Sequence, residues 1–134
     1  MVLSDTLDNT IDVVAAVIER SGRYLLCQRA PEKAHGGLWE FPGGKVKPAE
    51  SFADALAREL DEELSLTTTN TGEPLYSGQE TDSPFVIHFV PVVVSGSPQL
   101  HEHTDARWAT ITELEEFELA PTDQAFVDYL SRRT

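Results

Sequence analysis

Residues 41–66 read FPGGKVKPAESFADALARELDEELSL. The Pro-Gly-Gly run at residues 42–44 is typical of a tight turn, since glycine tolerates backbone conformations closed to other residues. Apolar residues then recur at helical spacing up to Leu64. Ser51 precedes them, and Asp54 follows three positions later, as in a capped helix start. We therefore predict a glycine turn followed by a helix over residues 51–64.

The predicted helix carries an acidic stripe that borders its apolar stripe. At about 100° per residue, Glu59, Glu62 and Glu63 fall within an arc of about 100°. Like charges at this spacing repel by roughly a few tenths of a kcal/mol per pair. A bound Mg²⁺ or Mn²⁺ would explain the crowding, because these cations prefer oxygen ligands. A solvated acidic face is the alternative on this helix alone.

Two lysines, Lys45 and Lys47, stand between the glycines and the helix. A glycine turn lets the backbone approach a ligand, and lysine binds phosphate oxygens as a point charge. Followed by an acidic helix, this order indicates a phosphate-containing substrate that is bridged to the protein by metal.

Composition restricts the partners and the compartment. The chain has 134 residues, the size of one domain, and 10 basic against 23 acidic residues give a net charge of −13. Such a charge argues against nucleic-acid polymers and anionic membrane surfaces. No apolar run approaches the roughly 18 residues of a membrane span. We expect a soluble cytoplasmic protein with a flexible tail at residues 1–9 and a single domain at residues 10–134.

The single cysteine, Cys27, excludes an intramolecular disulfide and a cysteine-based zinc site. It lies in an apolar run and is expected in the core. His88, in an apolar strand, is expected to be a hydrogen-bonded core histidine. His35, His101 and His103 fall in predicted loops, where a histidine metal site is an alternative to the glutamate cluster.

Strands and helices alternate along the chain. Strands are expected at residues 13–18, 23–29, 38–41, 67–79 (broken near Gly72 and Pro74), 84–94 and 106–110, and helices at 51–64, 112–117 and 122–133. Pro91 indicates an edge or a bulge for the strand at 84–94. Thr112 and Glu115 have capping-box spacing. The class is therefore α/β or α+β with a mixed sheet.

The spacing of charged residues resembles the Nudix box. That family pattern is G-x5-E-x7-R-E-U-x-E-E-x-G-U, where U is aliphatic. The matching residues are Gly44, Glu50, Arg58-Glu59-Leu60, Glu62-Glu63 and Ser65-Leu66. The one departure is Ser65, where the family usually has glycine. Because glycine suits a left-handed helix end, serine there costs about 1 kcal/mol.

The resemblance extends over roughly residues 11–131. The run GLWEFPGGKV at residues 37–46 and the pair Gln28-Arg29 resemble the MutT-like branch. The triplet His101-Glu102-His103 with Trp108, and the run LAPTD at 119–123, most resemble bacterial CTP pyrophosphohydrolases within it. The resemblance implies a Nudix fold, a mixed β-sheet sandwiched between α-helices.

By matching position, the resemblance also implies roles. Metal ligands would be the Gly44 carbonyl and the side chains of Glu59, Glu62, Glu63 and Glu102. Arg58 would orient the glutamates, and Glu50 would support them. Glu59 or Glu62, with Glu102 as the alternative, would assist as general base. The implied substrate-binding residues are Arg29, Trp39, Glu40, Phe41, Lys45 and Asp123.

Charge and donor geometry suggest how the last group would work. Arg29 and Lys45 would hold phosphate oxygens. Asp123 would accept a hydrogen bond from an exocyclic amine of the base, although at a helix start it could also be a capping acid. For Trp39 and Phe41, core packing is as plausible as contact with substrate.

The implied activity is Mg²⁺-dependent hydrolysis of a nucleoside triphosphate to a monophosphate and pyrophosphate, with CTP-type or modified nucleotides favoured. An 8-oxo-dGTP diphosphatase, a hydrolase of ADP-ribose, a dinucleotide or capped RNA, and a non-catalytic nucleotide-sensing module are the alternatives. The expected partner is a small nucleotide, with no nucleic-acid polymer and no membrane, for a monomer or homodimer.

Overall fold

The computed structural model describes residues 10–133, so the expected tail at residues 1–9 lies outside the described part. Its elements are β1 (Ile11–Arg20), β2 (Arg23–Gln28), β3 (Trp39–Glu40), β4 (Gly43–Lys45), α1 (Phe52–Leu64), β5 (Thr67–Thr71), β6 (Tyr76–Gln79), β7 (Phe85–Ser95), β8 (Asp105–Ala109), α2 (Ile111–Leu114) and α3 (Pro121–Arg133). The break predicted near Gly72 separates β5 from β6.

Strand β1 organises the sheet. It runs parallel to β7 along most of its length and antiparallel to β4 and β2 on its other side. Strand β4 pairs with residues 13–15 of β1, whereas β2 pairs with its last two residues. Strands β3 and β8 pair with β2, and β5 and β6 pair with β7. The sheet is therefore mixed, as predicted. Strands β4 and β2 pair with different parts of the same edge of β1 and are separated along it.

Alternate residues of β1 enter two separate cores. Val14, Ala16 and Ile18 pack with Leu56, Leu60 and Leu64 of α1 on one face. Ala15 and Val17 pack with Leu114 of α2 and Phe126, Val127 and Leu130 of α3 on the other. The sheet thus lies between helices, which confirms the predicted fold class. Cys27 is buried in the first core, as expected, where burial raises the pKa of its thiol.

Two strand predictions are wrong. The run at residues 42–44 is not a tight turn, because Gly43 and Gly44 extend along β1 in β4. Strand β7 is an interior strand, and Pro91 causes neither an edge nor a bulge. Pro91 faces the gap between β6 and β5, where its carbonyl accepts from the Gly72 N–H at 2.9 Å. No ladder bond there requires the N–H that proline lacks.

The helix ends are set by side-chain caps. Ser51 caps α1 by accepting from the Asp54 N–H at 3.0 Å, as predicted. The short helix α2 begins at Ile111 rather than Thr112 and ends at Leu114 rather than Phe117, because Thr110 and Glu113 form its capping box instead of Thr112 and Glu115. Helix α3 begins at Pro121 rather than Thr122. Within residues 10–133, no helix has the length and apolar character to cross a membrane.

Candidate active site

Arg58 on α1 connects the acidic helix to the segment before it. Its Nε and Nη2 donate to the two oxygens of Glu50, each at 2.9 Å, and Nη2 also donates to the Lys45 carbonyl at 3.0 Å. Its Nη1 donates to Glu59 Oε2 at 3.0 Å. These bonds hold the pKa of Glu50 at about 2 and fix the guanidinium. Arg58 therefore orients Glu59 and is itself held by Glu50.

Glu59 lies directly against the backbone of Gly44. A Cβ at Gly44 would stand 2.2 Å from Glu59 Oε2, closer than any real contact. The glycine therefore leaves space for a carboxylate beside the β4 backbone. Glu62 is less confined, with 54% of its side chain exposed and 3.6 Å between its Oε1 and Arg58 Nη1.

Glu63 is the buried member of the acidic stripe, with only 5% of its surface exposed. The loop at residues 96–104 folds over the end of α1, since the backbone N–H groups of Gln99 and His101 donate to the carbonyls of Leu64 and Glu63. This loop brings Glu102 beside Glu63. Both residues line a small cavity of about 90 Å³. Burial, followed by hydrogen bonding to the Glu59 carboxylate and by the charges of Glu59 and Glu102, raises the pKa of Glu63 well above the ordinary carboxyl range.

The arrangement fits a bound cation. Glu63 Oε1 is buried without a hydrogen-bond partner, and an unpaired buried oxygen is costly unless a proton or a cation satisfies it. Glu59, Glu63 and Glu102 repel one another there, and a hard divalent ion would reverse that repulsion. Within residues 10–133, no three His, Cys, Asp or Glu side chains already enclose a metal position.

A larger cavity of about 460 Å³ opens beside the acidic one. The two share Arg29, Glu40 and Gly43 in their linings. Arg29 is held in place, because its Nε donates to the Ala34 carbonyl at 2.6 Å and its Nη1 to Glu40 Oε1 at 2.8 Å. A fixed guanidinium thus stands where the two cavities meet.

Asp123 lies at the start of α3 and lines the larger cavity. Its Oδ2 accepts from the Phe41 N–H at 2.8 Å. The segment before α3 is held against β3, because the Ala120 N–H donates to the Trp39 carbonyl at 2.9 Å and the Trp39 N–H donates to the Glu118 carbonyl at 2.8 Å. Burial raises the pKa of Asp123 to about 8, and the nearby charge of Glu40 adds to the shift.

The structure brings most of the predicted substrate-binding residues to one place. Arg29, Glu40, Phe41, Lys45 and Asp123 line the larger cavity, and so does Gly44. Trp39 is not among the lining residues, and its ring packs edge-on against Phe117 at 5.0 Å. The ring of Phe41 is buried against Phe89 and Phe126, so little of the ring is exposed to the cavity.

Sequence reasoning missed the apolar wall of this cavity. Phe85 and Ile87 on β7 line it, and the Lys45 ammonium lies 5.2 Å from the Phe85 ring centroid. Their alternate spacing placed them on one face of a strand, but nothing in the sequence indicated which face meets the cavity. His88 is hydrogen-bonded as predicted, through Nδ1 to Ser77 and through Nε2 to Asp12, but it is only partly buried and belongs to neither core.

The departure at Ser65 has the expected conformation. Ser65 ends α1 in the left-handed region, with φ 56° and ψ 35°. Its Oγ lies 2.7 Å from Nε2 of His101, in the loop that carries Glu102. The serine therefore adds a contact to this loop that glycine could not make.

Known proteins resemble this chain over most of its length. The NUDIX domain model matches residues 8–130. The chain is 46% identical over 116 residues to a CTP pyrophosphohydrolase of Escherichia coli, covering 84% of this chain and 85% of that one. It is 33% identical over 127 residues to a putative 8-oxo-dGTP diphosphatase 2 of Mycobacterium tuberculosis, covering 90% and 87%.

Solved structures show the same fold. The solution structure of the Escherichia coli ORF135 protein has a TM-score of 0.78 at 41% identity, covering 93% of this chain and 91% of that one. A MutT structure from work on Aliivibrio salmonicida and Vibrio cholerae has a TM-score of 0.80 at 28% identity, covering 93% and 99%. Domain match, relatives and fold agree, and the chain belongs to the NUDIX family of hydrolases.

Proposed function

We propose that this Nudix hydrolase cleaves nucleoside triphosphates to a nucleoside monophosphate and pyrophosphate, with CTP-type or modified nucleotides as preferred substrates. One observation carries the proposal. A cavity of about 460 Å³, large enough for a small ligand, adjoins a smaller cavity lined by the buried Glu63 and by Glu102, and the two cavities share a fixed arginine. The name of the Escherichia coli relative supports the same substrate class.

A triphosphate carries about four negative charges, so it approaches the carboxylates only when cations separate the two. Bound Mg²⁺, or Mn²⁺ in its place, would neutralise this charge and lower the pKa of a water molecule. The residues suited to hold the metal are the Gly44 carbonyl and the carboxylates of Glu59, Glu62, Glu63 and Glu102.

The remaining roles follow from position. Glu59 or Glu62, or alternatively Glu102, would take the proton from the attacking water. Arg58 keeps Glu59 in place through its bond at 3.0 Å. Arg29 and Lys45 would bind phosphate oxygens, since both line the cavity beside the carboxylates.

Asp123 would recognise the base from the wall of this cavity. In its ionised form, the oxygen that does not accept from the Phe41 N–H can accept from an exocyclic amine such as that of cytosine. Guanine-type edges also offer donors, so oxidised guanine nucleotides are the second candidate, which the name of the Mycobacterium tuberculosis relative favours. The net charge of −13 disfavours nucleic-acid polymers, and we propose cytoplasmic action on free nucleotides by a monomer or homodimer.

Pyrophosphate release from CTP with Mg²⁺ tests the assignment. Glu59→Gln is expected to lower kcat by at least about 100-fold, as loss of a metal ligand or base would. Asp61→Asn is the matched control, because Asp61 is exposed on the same helix. Equal activities in the two variants would remove Glu59 from the reaction.

Base recognition is tested on a panel of nucleoside triphosphates that includes 5-substituted dCTPs and 8-oxo-dGTP. Substrates are ranked by kcat/KM in wild type and in Asp123→Ala. The variant should change the ranking while its Mg²⁺ requirement stays the same. An unchanged ranking would show that Asp123 does not read the base.

A further inference from the structure

His103 is a buried histidine beside the carboxylate cluster. Only 6% of its side chain is exposed, and its Nε2 lies 3.0 Å from Glu40 Oε2. A carboxylate only accepts, so Nε2 carries the proton of this bond. In the neutral ring, Nδ1 therefore presents a lone pair on the opposite side.

That lone pair faces Glu63. His103 Nδ1 and Glu63 Oε1 lie 3.9 Å apart, which is too long for a hydrogen bond. Both atoms are buried, and neither has a hydrogen-bond partner. With Glu63 ionised, two unpartnered acceptors face each other in a buried place, which is costly, and a shared cation would satisfy both.

The surroundings are those of a metal-binding histidine. Such a histidine usually donates its second ring nitrogen to a carboxylate, which fixes the ring and its tautomer. Glu40 supplies this carboxylate and is itself held by Arg29 at 2.8 Å. At bond lengths of about 2.0–2.1 Å, two ligands of one tetrahedral metal ion stand roughly 3.4 Å apart. The 3.9 Å between His103 Nδ1 and Glu63 Oε1 is slightly wider, so the two atoms would move together by about half an ångström on binding the ion.

We propose that His103 Nδ1 and Glu63 Oε1 form a cation subsite that prefers imidazole-binding transition metals such as Co²⁺ or Zn²⁺ over Mg²⁺. Water or phosphate oxygens complete the coordination from the 90 Å³ cavity, which Glu102 also lines. The preference follows from the nitrogen ligand, because imidazole suits these metals and Mg²⁺ favours oxygen. Since Glu63 is shared, the inference rests on the metal site of the proposed function.

Metal titration without nucleotide tests the His103 subsite separately from the proposed hydrolase function. Calorimetry on the full chain should show that His103→Gln weakens Co²⁺ binding at least tenfold and Mg²⁺ binding less than twofold. The control His101→Gln, in the same loop but bonded to Ser65, should leave both affinities within twofold. Unchanged Co²⁺ affinity in His103→Gln, or an equal loss for both metals as for a purely structural ion pair, would overturn the proposal.

A second measurement uses the wild-type protein alone. In the nuclear magnetic resonance spectrum of ¹⁵N-histidine protein, added Zn²⁺ should shift the Nδ1 resonance of His103 while Nε2 keeps its proton. A His103 resonance that does not respond at saturating Zn²⁺ would overturn the subsite. Neither experiment measures hydrolysis. Failure of the subsite can therefore be distinguished from failure of the proposed function.

Discussion

Asp123 is a buried carboxyl group that accepts a backbone hydrogen bond. It is 5% exposed, and a single backbone N–H, that of Phe41, reaches its Oδ2 from another segment. Burial raises its pKa to about 8 from an ordinary 3.8. The folded state therefore binds this proton more tightly than the unfolded state does. The stability that the proton contributes is full below about pH 4 and is lost as the pH rises through 8.

Asp123→Asn should therefore stabilise the protein most at alkaline pH. The amide oxygen can still accept from the Phe41 N–H, and no charge is buried. We expect the gain in unfolding free energy at pH 8 to exceed the gain at pH 5 by roughly 1 to 3 kcal/mol. Urea denaturation at both pH values measures this difference. Asp128→Asn, on an exposed position of the same helix, is the control, and a gain that does not vary with pH would contradict the explanation.

The element β4 is confined between a strand and a helix. A Cβ at Gly43 would stand 1.9 Å from the Val14 carbonyl oxygen of β1. A Cβ at Gly44 would meet the Glu59 carboxylate of α1. Two neighbouring glycines thus allow two different contacts, one with a rigid backbone and one with the end of a flexible side chain.

The same substitution at the two positions should have different effects. Gly43→Ala forces β4 away from β1 and is expected to destabilise the fold by about 3 kcal/mol or more. Gly44→Ala displaces only Glu59, so it should lower kcat strongly while the melting temperature falls by a few degrees at most. Thermal unfolding and pyrophosphate release measure the two effects. A Gly44→Ala protein with normal turnover would show that the position of Glu59 is not critical.

Elements set by local signals could be predicted from the sequence. Helix α1 carries its own cap at Ser51 and its own periodicity, and both appear in the structure. Strand β4 was misread as a turn, because its glycines serve contacts with β1 and α1 that are distant in sequence. The start of α2 was misplaced because two overlapping Thr-x-x-Glu patterns exist. Local sequence does not decide between Thr110 and Thr112, whereas tertiary packing does.

At the level of the whole molecule, the site joins segments that are far apart in the chain. Arg29 follows β2, Glu63 lies in the last turn of α1, and Glu102 lies in the loop before β8, yet all three line one cavity. The Nudix-box spacing predicted the carboxylates of α1 because they share one helix. The partnership of His103 with Glu40 and Glu63 could not be predicted, because it depends on how the loop at residues 96–104 folds onto α1.

The excess of acidic residues has a thermodynamic consequence for the folded protein. The carboxylates converge only in the folded state, so the divalent cation that we propose there would bind that state and stabilise it. At 100 times the dissociation constant the gain is about 2.7 kcal/mol. Mg²⁺ should therefore raise the melting temperature by several degrees more than NaCl of equal ionic strength, which only screens the net charge.

The origin of this effect is tested by substitution. Glu59→Gln should lose most of the Mg²⁺-specific shift and keep the response to NaCl, and EDTA should reverse the shift in wild type. Asp61→Asn removes one negative charge from the same helix, as Glu59→Gln does, but should keep the full Mg²⁺-specific shift, because Asp61 is exposed. If both variants lost it equally, the stabilisation would come from general charge and not from a site, since only a site distinguishes between two carboxylates on one helix.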